Sequence, residues 1–184
     1  SISCVWRWNW LARDFDDAVS ITRTPDGGWE LGVHIADVAH YVPEDSATDI
    51  EARERGMSCY LVDRVIPMLP ERLSNDLCSL RPKVDRLTLS CVMEVSDSGE
   101  VTRYRFTDGV IRSHAKLSYE MVMDYFRTGE KTRTVAPLAA TLDDMRTVAR
   151  ILRKRRFANG SLDLDVPEAK VILDEEGHPI DIRL

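Results

Sequence analysis

The chain has 184 residues, of which 43% are hydrophobic and 30% are charged, and its formal net charge is −6. This length is enough for one domain or part of a larger one, and the composition is that of an ordinary globular protein. No apolar run approaches the roughly 20 residues of a membrane span, and the first residues do not show a signal-peptide pattern. The negative charge argues against a protein that holds nucleic acid by bulk electrostatics. It leaves room for a local site, because a cation bound at a carboxylate cluster reverses the sign there.

The cysteine pattern bears on metal binding and on the cellular compartment. The four cysteines are Cys4, Cys59, Cys78 and Cys91. They show neither a Cys-x-x-Cys pair nor a Cys/His ligand spacing, and three of them lie within apolar patterns. We therefore expect buried free thiols rather than disulfides or zinc, and a reducing, cytoplasmic location.

The first half of the chain predicts a hairpin, a helix and a strand. Residues 12–42 alternate in hydrophobicity on both sides of the turn residues at 25–28, which indicates a β-hairpin. A short helix follows, which Asp45 or Ser46 caps and Gly56 ends. The stretch "MSCYLVDRVIPMLP" predicts one brief strand, and "ERLSNDLCSL" predicts a short helical turn.

The second half predicts further hairpins around two helices. Residues 85–122 alternate strongly, with Ser-Asp-Ser-Gly as a turn and a third strand after the hairpin. "YEMVMDYFRTG" begins a helix, and residues 135–160 form the longest segment of helical periodicity. "AKVILDEEGHPIDIRL" predicts a last hairpin. Hairpins with helices between them favour an α+β fold with a mostly antiparallel, twisted sheet flanked by helices.

A carboxylate cluster follows three tryptophans near the start of the chain. Asp14, Asp16 and Asp17 come directly after a tract that contains Trp6, Trp8 and Trp10. In an extended segment Asp14 and Asp16 share one face, and Asp17 points to the other unless the strand bends. Adjacent carboxylates repel one another unless a cation neutralises them, and Mg²⁺ or Mn²⁺ suits such oxygen ligands. The alternative interpretation is a solvated, acidic strand start.

Other conspicuous residues have ordinary structural explanations when each is taken alone. His34 and His40 fit core or edge histidines, and Tyr60 and Tyr119 fit core aromatics with a tethered hydroxyl. The basic run at 153–156 fits a solvated helix end.

Taken together, the blocks of this sequence resemble a known family. "ARDFDDAV", "LGVHIADVAHYV", "GMSCYLVDRVIPMLPERLSNDLCSLRP", "IRSHAKLSYEMV" and "RFANGSLDLDVPEAKVILDEEGHPIDI" are similar to successive parts of the RNB catalytic domain. That domain belongs to the ribonuclease R and ribonuclease II 3′→5′ exoribonucleases. The resemblance runs in order from Ala12 to the last residue and leans towards the ribonuclease R branch.

The resemblance implies roles for particular residues. Family members hold catalytic Mg²⁺ with four aspartates, and Asp14, Asp16 and Asp17 match the last three. Asp16 matches the aspartate most tied to catalysis, and Asp17 matches a direct metal ligand. Tyr60 matches a tyrosine that packs against RNA bases, and Tyr119 matches one that helps to clamp the 3′-terminal nucleotides.

Two departures from the family pattern qualify this reading. The first family aspartate falls at Trp8, and tryptophan cannot serve as a carboxylate ligand. The chain also covers only about the first half of the catalytic domain, without a catalytic arginine or the flanking cold-shock and S1 domains. We therefore expect residues 1–11 to be a tract foreign to the family and residues 12–184 to be a partial RNB domain.

The resulting functional expectation has two versions. The first is a Mg²⁺-dependent, monomeric, cytoplasmic exoribonuclease that releases nucleoside 5′-monophosphates from single-stranded RNA, present here as a fragment that is inactive alone. The second is a non-catalytic, RNA-binding remnant of the same fold. A third reading, an unrelated metal phosphohydrolase, requires a parallel doubly wound sheet, and the hairpin order argues against it.

Overall fold

A computed structural model describes residues 3–5, 15–163 and 169–183 of the chain. The described residues form ten strands, four α-helices, a π-helical turn at 73–77 and a 3₁₀ turn at 136–138. The strands are β1 (Ser3–Val5), β2 (Asp17–Arg23), β3 (Trp29–Ala36), β4 (Cys59–Tyr60), β5 (Val65–Ile66), β6 (Asp85–Val95), β7 (Val101–Arg112), β8 (Ala115–Lys116), β9 (Lys170–Leu173) and β10 (Pro179–Arg183). The helices are α1 (Val38–Tyr41), α2 (Ala47–Arg55), α3 (Tyr119–Thr128) and α4 (Ala139–Ala158).

Six strands form the main sheet, in the order β7-β6-β3-β2-β1-β8. Every neighbouring pair is antiparallel except β1 with β8, which is parallel. The β2–β3 and β6–β7 turns lie at one end of the sheet, because Trp29 pairs with Val95. The opposite end carries Asp17, which pairs with Ile35. The predicted α+β fold with a mostly antiparallel sheet is therefore confirmed.

Local sequence signals set the ends of the helices. Ser46 caps α2 by accepting a hydrogen bond from the backbone N–H of Asp49 at 3.2 Å. Ser118 caps α3 in the same way, through the N–H of Met121 at 3.2 Å. Glycine follows both helices, as the sequence predicts for α2 at Gly56.

Each face of the sheet has its own buried cluster. On one face α3 and α4 cover Ile21 and Trp29, together with Leu117. On the other face Phe15 and Ala18 pack with residues of the 73–80 segment. The cores on both faces thus meet at β2, the strand that carries Asp17.

The outer half of the helix-covered face has no helix over it among the described residues. The side chains of Ile35, Leu89, Tyr104, Phe106 and Val110 are all exposed there. They share one face of the sheet. Ile35 pairs with Leu89, and Leu89 pairs with Asp108 on β7. The three exposed β7 residues lie two or four positions from Asp108, and side chains at even spacing in a strand point to the same face. An apolar face of this extent is an aggregation hazard in the isolated chain.

Two sequence predictions are wrong in detail. The segment predicted as one strand at 57–70 is the hairpin β4–β5, because the chain turns at 61–64, where the Leu61 N–H bonds to the Arg64 carbonyl at 2.8 Å. The described cysteines are free, as predicted, and Cys78 is buried, but Cys59 on this hairpin is exposed. Within the described ranges, no helix has the length and apolar character needed to cross a membrane.

Candidate functional site

Asp16 and Asp17 stand at the entrance to β2, at one end of the sheet. Both side chains are exposed. The Asp16 carbonyl accepts a hydrogen bond from the Ala36 N–H at 2.8 Å, which extends the β2–β3 ladder by one residue. The backbone that presents the two carboxylates is therefore fixed by the sheet, while the carboxylates themselves face solvent.

The segment at 76–86 fixes the position of Phe15, the residue that precedes these aspartates. The buried Ser79 hydroxyl accepts from the Phe15 N–H at 3.3 Å, and the Leu80 N–H donates to the Phe15 carbonyl at 2.6 Å. Arg86 in turn donates to the Ser79 carbonyl at 2.9 Å and to the Asp76 carboxylate at 2.9 Å. The block "LSNDLCSL" thus has a clear physical role, which is to position the start of β2.

Asp16 and Asp17 form an adjacent pair of like charges. Partial burial and the neighbouring charge of Asp16 raise the pKa of Asp17 above its ordinary value. A hydrogen bond from the backbone N–H of Asp17 lowers this pKa by a smaller amount. The ion pairs found among the described residues do not include either carboxylate. Two adjacent carboxylates without a compensating cation repel each other, and a divalent ion would remove that repulsion.

The predicted third ligand, Asp14, and the departure at Trp8 both lie outside the described residues. The arrangement of the full carboxylate cluster therefore stays a prediction. The described part fits it in one respect, since Asp16 and Asp17 are adjacent and both are exposed.

Tyr119 lies at the same end of the sheet as the two aspartates. Strand β8 runs parallel to β1 towards this end, with Lys116 opposite Val5 and Val5 opposite Ala18. Tyr119 begins α3 three residues later and is exposed. The Lys116 ammonium lies 4.4 Å from the centre of the Phe15 ring. It therefore adds a positive charge to the surroundings of the aspartates.

Tyr60 is carried on the β4–β5 hairpin and is 64% exposed. The connection that contains this hairpin leaves the sheet after Ala36 and returns at Leu80, which bonds to Phe15. Both ends of the connection are thus at the aspartate end. The two predicted core aromatics, Tyr60 and Tyr119, are exposed instead, which agrees with the roles that the family resemblance implies.

Sequence reasoning missed two features of interest. Ser79 and Lys116 support Phe15, but a lone serine or lysine gives no sequence signal for such a long-range contact. A second acidic group was also overlooked: Asp174, Glu176 and His178 have ligand atoms within 4.8 Å of one another. The Asp174 carboxylate accepts from the N–H groups of Glu176 and His178 at 2.9 and 2.8 Å, so this group organises the β9–β10 turn.

The fold and these residues define a class of protein. It is an α+β domain that presents adjacent carboxylates at one end of an antiparallel sheet, with exposed tyrosines on the segments leading from that end. The sequence profile of the RNB domain matches residues 3–184, so the chain belongs to the RNB domain family.

Similar proteins agree with this assignment. Ribonuclease R 1 of Lactococcus lactis is 47% identical over 173 residues, which are 94% of this chain and 21% of that protein. Ribonuclease R of Thermotoga maritima is 47% identical over 172 residues, which are 93% of this chain and 24% of that protein. The chain thus spans about a fifth to a quarter of the length of these relatives.

A solved structure shows the same fold. Mycoplasma genitalium RNase R in complex with ribose-methylated single-stranded RNA matches with a TM-score of 0.92 and 31% identity. The match covers 98% of this chain and 28% of that chain. The same protein in complex with double-stranded RNA also gives a TM-score of 0.92. The family that the sequence blocks predict is confirmed.

Proposed function

We propose that this chain is the first part of the catalytic domain of a Mg²⁺-dependent exoribonuclease. The complete enzyme would hydrolyse single-stranded RNA from its 3′ end and release nucleoside 5′-monophosphates. The observation that carries the proposal is the pair of adjacent, exposed carboxylates, Asp16 and Asp17, at the hydrogen-bonded start of a strand in a chain of the RNB family. We retain a cytoplasmic location and a monomeric state as predictions.

The proposed metal ligands are Asp14, Asp16 and Asp17. A bound Mg²⁺ supplies charge that activates water and stabilises the departing oxygen of a phosphodiester, and Mn²⁺ can replace it. Asp16 is proposed as the catalytic carboxylate, and Asp17 as a metal ligand, the pKa of which is raised by partial burial and by the neighbouring charge of Asp16. The Ser79 and Leu80 contacts to Phe15 keep both carboxylates in place.

The proposed RNA contacts are the two exposed tyrosines. Tyr60 would stack on bases from the β4–β5 hairpin, and Tyr119 would contact the 3′-terminal nucleotides at the start of α3. Stacking on an aromatic ring tolerates every base, which suits an enzyme that degrades RNA without sequence preference. Cold-shock and S1 domains in the complete protein would add further RNA affinity.

A graft tests the proposal. Residues 12–184 replace the matching stretch of Lactococcus lactis ribonuclease R 1, and mononucleotide release from uniformly labelled RNA is followed with Mg²⁺. We expect an active graft and a loss of at least 100-fold in Asp16→Asn. Asp174→Asn, which changes the other acidic group, serves as the matched control and should keep full activity. A graft in which Asp16→Asn retains its rate would refute the assigned role.

A non-catalytic protein is the second candidate, and the observation that favours it is Trp8 at the position of the first family aspartate. A second graft that includes residues 1–184 separates the two. If Trp8 prevents metal binding at the proposed site, this graft is inactive and Trp8→Asp restores release of mononucleotides. We also expect the 184-residue chain alone to degrade RNA poorly or not at all, and brisk Mg²⁺-dependent hydrolysis by it would contradict this.

A further inference from the structure

The C-terminal half of α4 carries a dense group of basic side chains far from the aspartates. All of these side chains are exposed: Arg150, Arg153, Lys154, Arg155 and Arg156. Arg153 pairs with Asp163 at 2.8 Å and lies over the Phe157 ring at 5.3 Å. The other four make no ion pair or side-chain hydrogen bond with any residue in the described part of the chain.

The helix itself does not require these charges for its C-terminal hydrogen bonds. The Asn159 N–H donates to the carbonyls of Arg155 and Arg156 at 3.0 and 3.1 Å, and the Ser161 N–H donates to the Arg156 carbonyl at 3.1 Å. The terminal carbonyls are thus satisfied by the backbone. The helix dipole favours cations in the last turn, but it does not account for a run that begins at Arg150.

The basic run is also unfavourable for the helix that contains it. The last acidic residues of α4 are Asp143 and Asp144, so no carboxylate of the helix lies three or four positions from Lys154, Arg155 or Arg156. Like charges at these spacings, such as Arg150 with Lys154, destabilise a helix. An anion that binds to these side chains would remove the repulsion between them.

The basic side chains border a groove. The groove has a volume of about 450 Å³ and lies between the end of α4 and the β6–β7 turn. Its charged and polar lining is Arg155, Arg156, Asn159 and the single carboxylate of Glu100, with Gly99, Val101 and Leu152 completing it. Two guanidinium groups against one carboxylate leave the groove positive in a chain of net charge −6.

The groove is separate from the candidate metal site. The β6–β7 turn lies at the end of the sheet opposite Asp17, since Trp29 pairs with Val95. The six residue steps of β2 from Asp17 to Arg23 span about 20 Å at the rise of an extended strand. A ligand in the groove therefore does not contact the aspartates, and only a long ligand reaches both regions.

We propose that this α4 groove binds the phosphate backbone of RNA at a distance from the metal site. Planar guanidinium groups hold phosphates by paired hydrogen bonds, and an exposed basic cluster on an otherwise acidic chain directs a polyanion to one place. The proposal rests on the proposed function for its choice of RNA as the polyanion. In the complete enzyme the groove would hold substrate that extends beyond the nucleotides near Asp16.

Fluorescence anisotropy with a 5′-labelled 20-nucleotide oligouridine, in EDTA, tests the groove without hydrolysis. Arg155→Gln/Arg156→Gln should weaken binding by the chain at least fivefold. It should also reduce the slope of log K against log salt by about 1.4, which corresponds to two lost phosphate contacts at about 0.7 each. Lys131→Gln/Arg133→Gln is the matched control, because it removes the same charge from an exposed loop, and it should change affinity less than twofold.

Three results would overturn the inference. The groove variant would bind within twofold of the unmodified chain, or the control variant would lose as much affinity, which would indicate general charge. Alternatively, the affinity of the unmodified chain for the oligonucleotide would not fall as the salt concentration rises, which would indicate that phosphate attraction does not contribute to binding. The proposed function fails separately, in the hydrolysis test of Asp16→Asn, which does not depend on the groove.

Discussion

At the scale of single residues, His34 shows how a histidine inside the sheet is kept neutral. Its two ring nitrogens lie 2.9 Å from the Ser20 hydroxyl and 2.8 Å from the Ser90 hydroxyl. Burial lowers the pKa of His34 below its ordinary value. A Cβ at Gly32 would stand 2.7 Å from His34 Nε2, so only glycine leaves room for this network. The core interpretation of His34 is therefore confirmed.

Acid should weaken the fold through His34. Because its pKa is lower in the folded state, the unfolded chain binds more protons, and stability is lost as the pH falls below about 6.5. Urea unfolding at pH 7.5 and pH 5 measures this loss. His34→Gln should cost about 1–3 kcal/mol at pH 7.5 and flatten the dependence on pH. A pH dependence in His34→Gln that runs parallel to that of the unmodified chain would contradict this assignment.

Ser79 should contribute to stability through one hydrogen bond to the aspartate segment. Ser79→Ala leaves the Phe15 N–H without its side-chain acceptor in a buried place, which costs about 1–3 kcal/mol. Ser98→Ala removes an exposed hydroxyl that contacts only Ser96 within the described residues, and should cost less than about 0.5 kcal/mol. Equilibrium unfolding in urea compares the two variants. Equal losses of unfolding free energy in the two variants would show that the Ser79–Phe15 hydrogen bond does not stabilise the fold.

At the scale of elements, the β6–β7 turn and α4 fit closely against each other. Gly99 has φ +81° and its missing Cβ would lie 2.6 Å from the Ile151 side chain. Gly27 in the β2–β3 turn has φ +92° with nothing within 4 Å of that position. The two turns therefore differ in packing while sharing a left-handed backbone.

This pair of turns separates steric overlap from backbone strain. Gly27→Ala should cost about 1 kcal/mol of unfolding free energy from its positive φ. Gly99→Ala should cost about 1–3 kcal/mol more, because its methyl group overlaps Ile151. Urea unfolding of both variants measures the difference. Losses of the same size would mean that α4 does not pack tightly on the turn.

The β4–β5 hairpin should bind RNA through Tyr60. Tyr60→Ala should weaken RNA binding by about 1–3 kcal/mol, whereas Tyr60→Phe keeps the ring and should preserve most of the affinity. Tyr104 is a suitable control, since it is 65% exposed and Tyr60 is 64% exposed. The readout is anisotropy with labelled RNA. A comparable loss of RNA affinity in Tyr104→Ala would show that the effect is not specific to Tyr60.

At the scale of the whole molecule, the sequence predicted the strands and helices whose ends are set by neighbouring residues. The β2–β3 hairpin, α2 with its Ser46 cap and the long α4 follow from turn residues, capping and periodicity. The β4–β5 turn at 61–64 was missed because it contains neither glycine nor proline. The contacts of Ser79 with Phe15 join residues 64 positions apart, and no local pattern reports such a contact. The roles of Asp16 and Asp17 depended on the family resemblance, because a short acidic motif alone also fits a solvated strand start.

The change in melting temperature with Mg²⁺ tests the central claim most directly. An ion that binds the folded chain stabilises it by RT ln(1 + [L]/Kd), and about 1 kcal/mol raises the melting temperature of a chain of this size by about 2–4 °C. We expect such a rise at 20 mM Mg²⁺ in the unmodified chain and in Asp174→Asn. Asp16→Asn/Asp17→Asn should melt higher without Mg²⁺, because its repulsion is gone, and should not respond to the ion. An equal response in that double variant, or none in the unmodified chain, would contradict a metal site at Asp16 and Asp17.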